Sequence, residues 1–149
     1  MQRPILIAAI VLVLAALTGG GIYGLHQYRQ SRPTPMWVPV PINPEIEHAK
    51  IMEAVKVIED HLSQPEILAA VSRDMQLTRL WNLPSDDACA AELKARLFVR
   101  SGDMATGTGT VPAIHVGLNG KRREKELTGK IAVRMMDDVK EVLGIESSD

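Results

Sequence analysis

The sequence predicts an α/β fold of the α+β kind behind a single N-terminal transmembrane helix. Three observations predict it. The stretch Pro4 to Leu25, PILIAAIVLVLAALTGGGIYGL, holds no charged residue. Apolar residues then recur at helical spacing as far as Arg96, divided into three runs by capping residues. After Arg96 the pattern turns to alternation, at Leu97 to Arg100 and again at Ile114 to Leu118, before a last helical stripe. The expected organisation is an anchor over 4–25, a Pro-rich stalk with an edge strand over 26–44, a domain over 45–144 with three helices, a strand pair and a final helix, and a tail over 145–149.

A run of about 20 apolar residues, rising 1.5 Å each, matches a hydrocarbon core of roughly 30 Å. A secretory signal peptide, with Arg3 before it and cleavage near Gly19-Gly20-Gly21, is the competing reading. The run continues past the glycines through Ile22 and Leu25, which favours an uncleaved anchor. No Cys stands directly after it, so processing as a lipoprotein is not expected. Ala16, Gly20 and Gly24 fall every fourth residue and form a small-residue stripe suited to self-association in the membrane. Arg3 on one side and Arg29 and Arg32 on the other leave orientation open by charge. The short N-terminal stub favours export of the remainder of the chain, giving a single-pass membrane protein with an exported C-terminal domain.

The segment after the anchor carries five prolines from Pro33 to Pro44, which predicts a stiff stalk. Met36 to Val40 can serve as an edge strand provided that Pro39 turns its missing N–H to solvent. Asn43 as N-cap, Pro44 at the first position, and Glu45 and Glu47 in the first turn predict a helix with Ile51, Val55, Ile58 and Leu62 on its buried face. Ser63 and Glu66 at capping-box spacing, with Leu62 and Ile67 as a hydrophobic staple, predict a second helix to about Met75. Leu77 to Leu83 reads as a loop. Ser85, Asp86 and Asp87 open a third helix carrying Cys89 and Leu93. The Gly/Thr-rich segment Gly102 to Pro112 reads as a long mobile connection between two antiparallel strands. Asn119-Gly120 is expected to turn the chain into the last helix, striped by Leu127, Ile131, Met135, Val139 and Val142 and ended by Gly144.

The chain of 149 residues has a formal net charge of −1, so bulk charge points to no nucleic-acid partner. Aromatic residues are 3% of the chain, which argues against a stacking platform for bases or sugars. With Cys89 as the sole cysteine, no intrachain disulfide can form. Cys89 beside His61 or His115 would make a nucleophile and base, but a Cys on the inner side of an Ala-rich helix more often acts as a small hydrophobe. His48 and Met52 lie one turn apart, a weak ligand pair for a soft metal. Gly117 to Lys121 has the wrong spacing for a phosphate-binding loop. The expectation is therefore a non-enzyme with no catalytic residues, no cofactor and no metal. Lys121, Arg122, Arg123 and Lys125 form a basic cluster that could meet lipid phosphates or an anionic glycan, and Glu124 and Glu126 interleave it as on a solvated helix start.

HLSQPEILAAVSRDMQLTRLW, Ser85-Asp86-Asp87-Ala88, AELKARLFVR, Gly109-Thr110 and the AIHV strand succeed one another in an order and spacing similar to a known family. The chain resembles the N-terminal region of bacterial polysaccharide chain-length determinants, the polysaccharide co-polymerases, over the anchor and roughly residues 36 to 143. Family members continue into a long helical region, a further strand and a second membrane helix, so a truncated member is implied. The resemblance implies a homo-oligomer of the bacterial inner membrane with its C-terminal domain in the periplasm, which assists surface or exopolysaccharide (lipopolysaccharide-type) assembly or sets chain length, in contact with a polymerase or its glycan and without catalytic residues. The competing expectation is a membrane-tethered protein–protein interaction module unrelated to polysaccharide.

Overall fold

The computed structural model describes residues 26–144. The anchor, its Ala16, Gly20 and Gly24 stripe, and the tail lie outside the described residues. Among the described residues no helix is long and apolar enough to cross a membrane.

Residues 26–31 are helical and lead into β1, Pro33–Pro41. Then come α1 (His48–Leu62), α2 (Pro65–Asp74), the single turn α3 (Leu77–Leu80) and α4 (Asp86–Arg96). A hairpin of β2 (Leu97–Thr106) and β3 (Gly109–Lys121), a 3₁₀ turn over Arg122–Glu124 and the long α5 (Lys125–Leu143) complete the chain. The strands form one antiparallel sheet in the order β1-β3-β2. The architecture is mixed α/β, as the sequence predicts.

The Pro-rich segment is thus a strand, and its prolines explain why it lies at an edge. Ile42 N–H donates to Pro112 O at 2.9 Å, and Arg122 N–H to Arg32 O at 3.1 Å, so even-numbered residues of β1 face β3. Pro33, Pro35, Pro39 and Pro41 are all odd and turn their missing donors away from the sheet. By the same parity Pro112 presents its nitrogen to the β1 side, so it leaves the β2–β3 ladder whole.

That ladder corrects the long connection expected over Gly102 to Pro112. Pairing runs from Leu97↔Leu118 to Thr106↔Gly109, and only Gly107 and Thr108 lie outside it. Gly109 takes φ +147°, a conformation that favours glycine, and Thr106 Oγ1 donates to its carbonyl at 3.0 Å. Asn119 and Gly120 likewise sit inside β3, and the turn into α5 is the 3₁₀ segment.

Helix faces match the expected stripes, whereas two helix starts do not. Ile51, Val55, Ile58 and Leu62 are buried on α1, and Thr128, Ile131, Ala132, Met135 and Val139 on α5, which ends at Gly144 in the left-handed conformation. Asn43 Oδ1 accepts from Glu45 N–H at 3.0 Å and its carbonyl from Ile46 N–H, closing a turn before α1 instead of capping it. Ser63 is the C-cap of α1, and α2 starts on Pro65 with Gln64 as N-cap and no side-chain cap. Only α4 keeps its expected cap, Ser85 Oγ accepting from Ala88 N–H at 3.2 Å. Leu77, fully buried, pins the α3 turn where a loop is expected.

Helices α1 to α5 gather on one face of the sheet, with α1, α4 and α5 directly against the strands. The strand residues in the core cluster are Val38, Val40, Leu97, Val99, Ile114, Val116 and Leu118, all of one parity in the register. Arg134 ties α5 to the end of α2 through Asp74 at 2.7 Å and to Asp138 at 3.0 Å.

Candidate functional site

The four cations of the basic cluster surround the 3₁₀ turn, and all four are exposed. Register enlarges the cluster. Pro33 pairs with Lys121, and the Arg122–Arg32 backbone bond continues the ladder, so Arg29 and Arg32 from the segment before β1 join Lys121, Arg122, Arg123 and Lys125 at one rim. A small cleft of about 250 Å³ lies between His26, Arg29, Gln30 and Arg122. Arg32 lies over the Tyr28 ring at 5.4 Å.

Beneath the rim, Glu124 holds the turn. Its Oε2 accepts from Lys121 N–H at 3.2 Å and from Arg96 Nη1 at 2.8 Å, and its backbone carbonyl accepts from Thr128 Oγ1. Arg96 also binds Glu92 at 2.6 Å and stacks over Trp81 at 4.6 Å. Burial pushes the Glu124 carboxyl up, but the Lys121 N–H and the Arg96 guanidinium outweigh it, leaving the pKa below its ordinary 4.5. Burial likewise pulls Arg96 down, and its two carboxylates more than reverse this. The acid inside the basic cluster is held mainly by Arg96, with Arg123 Nε a looser 3.9 Å from its Oε1, and the four cations of the cluster stay exposed. An open cleft of about 470 Å³ between Trp81, Leu83, Arg96, Lys121, Arg123 and Leu127 adjoins it.

The other candidates are placed apart from this rim. Cys89 is fully buried and its thiol points to Thr78 Oγ1 at 3.5 Å, so its partner is neither His61 nor His115. Met52 Sδ accepts from Ser101 Oγ at 3.8 Å, a tie between α1 and β2. No group of three metal-ligating side chains occurs among the described residues. His115, by contrast, belongs to an aromatic group on the sheet that sequence reading missed, because its members are far apart in the chain. No protein-family model matches the chain, and no curated protein or solved structure matches it either.

Proposed function

We propose that this chain is a membrane-anchored, non-enzymatic protein that assists surface or exopolysaccharide assembly, working as a homo-oligomer and by contact. The observation that carries the reading is the way the chain enters the domain. The first described residues after the apolar run feed straight into β1, and the strand register gathers Arg29, Arg32, Lys121, Arg122, Arg123 and Lys125 on the side of that entry. A domain held against a membrane by its first strand, with cations on the near rim, suits an organiser of anionic lipid-linked or polymeric substrates. Exposed apolar residues on α1 and α5, Val57 at 50% and Val133 at 62%, support subunit contacts through the outer faces of these helices.

The length distribution of surface polysaccharide, resolved on a gel from cells with and without the gene, tests the proposal. A shifted or broadened distribution is expected. An unchanged distribution with the gene expressed would leave the protein–protein interaction module as the better reading, and cross-linking that captured only monomer would remove the oligomer.

A further inference from the structure

Among the described residues, helices α1 to α5 lie on one face of the sheet and none of them covers the other. Register fixes what the bare face carries. β1 gives Pro33, Pro35, Trp37, Pro39 and Pro41, β2 gives Phe98, Arg100, Gly102 and Met104, and β3 gives Val111, Ala113, His115, Gly117, Asn119 and Lys121. No Asp or Glu occupies a position on it.

At its centre the side chains are organised. Phe98, Gly117 and Trp37 lie in one row across the three strands, and Arg100 and His115 in the next. The His115 ring packs over Gly102, where a Cβ would stand 2.7 Å from the imidazole, and its Nε2 lies 3.2 Å from Asp103 O. It stacks on Trp37 with centroids 5.6 Å apart and 22° between the planes. His115 is 9% exposed and Trp37 41%, so a nearly buried residue steadies a half-open one. Arg100 lies 5.4 Å from the Trp37 centroid and 5.1 Å from that of Phe98. Among the described residues no carboxylate pairs with it. A guanidinium lying over rings keeps its in-plane N–H fork free for a carboxylate.

We infer that this face binds an acidic polysaccharide, with Trp37 stacking on a sugar ring and Arg100 taking a carboxylate of the chain. The inference rests on the polysaccharide reading above and names the polymer class and the face that reads it. Charge density decides against nucleic acid. Arg100, opposite His115, is the one cation in the ring group, and the next cationic position on β3, Lys121, is six residues and roughly 20 Å further along at about 3.3 Å per residue, where it lines the cleft beside Arg96. Duplex DNA carries a charge about every 1.7 Å, and its binders neutralise many phosphates. A sparsely charged polymer with ring-shaped units matches one cation among rings. A protein strand cannot add at the β1 edge, because four of its outward positions are proline.

The test uses the full-length protein in lipid nanodiscs and fluorescent polygalacturonate, with neutral dextran and a single-stranded oligonucleotide as comparison polymers. Wild type is expected to bind polygalacturonate and not dextran. Arg100→Gln and Trp37→Ala are each expected to weaken binding about tenfold or more while melting as wild type does, and Arg100→Lys to restore part of it. Arg79→Gln, which removes an exposed cation on the helix side, is expected to keep the binding. Equal binding by the Arg100 and Trp37 variants would overturn the assignment of the face while leaving a role in polysaccharide assembly intact. Absence of polygalacturonate binding, or tighter binding of the oligonucleotide, would overturn the polymer class. An unaltered length distribution on deleting the gene would instead count against the cellular role.

Discussion

Gly117 shows how closely the central row is built. A Cβ there would run into the Met36 carbonyl oxygen and stand 2.7 Å from Trp37 Cα, both backbone atoms, so nothing flexible can yield. Gly117→Ala should cost about 2 kcal/mol or more and lower the melting temperature by about 5 °C or more in a thermal scan. Glu124 gives a second residue-scale expectation, this one in pH. Its folded pKa lies below the ordinary 4.5, so its contribution is present above that value and is lost as pH falls through the folded one. Glu124→Gln should flatten the acid side of the stability curve, read as melting temperature from about pH 6 to about pH 3. Wild type and variant running parallel there would mean that the Arg96 contact adds no net stability.

At the scale of elements, periodicity and the antiparallel pairing of the two strands after Arg96 were legible, and the extent and register of the pairing were not. Ile51, Val55, Ile58 and Leu62 announce α1 because spacing alone puts them on one face, and burial results. Asn43 misleads because an Asn side chain closes a turn as readily as it caps a helix, and which it does depends on where β1 ends. Gly102 to Pro112 looks like loop because its glycines and proline have weak strand preference, yet pairing with a partner on the same hairpin overrides it. The alternate prolines of β1 yield a prediction at this scale. Pro35→Thr with Pro39→Thr restores two outward N–H groups on an edge that otherwise offers only that of Trp37 over Pro33–Pro41. The variant should keep its core and self-associate through that edge, seen as added mass by light scattering of detergent-solubilised protein. A variant with unchanged mass would show that the prolines serve only to stiffen the strand.

Across the whole molecule, functional groups meet through register that no local pattern reveals. Lys121 to Lys125 is visible as a cluster, but Arg29 and Arg32 join it only because the first strand pairs with the last across 87 intervening residues, the Pro33↔Lys121 pair being the link. The same pairing sets Trp37 beside His115 on the bare face. If the apolar run is an anchor, Arg29 lies four residues beyond Leu25, about 6 Å along a helix, well inside a Debye length of about 10 Å from the headgroups. Each Lys or Arg held near an anionic surface adds about 1 kcal/mol. Glu124, the acid at the centre of the rim, offsets part of this, since it pairs closely with Arg96 at 2.8 Å and only loosely with Arg123 at 3.9 Å. Hydrogen exchange of the full-length protein in nanodiscs should therefore be slower at the β1 start and the 3₁₀ turn on phosphatidylglycerol than on phosphatidylcholine. Replacing Arg29, Arg32, Arg122 and Arg123 by Gln should remove that difference, and so should high salt in the wild type. Equal exchange on the two lipids would show that the rim faces away from the membrane, and its cations would then be open to a soluble anionic partner.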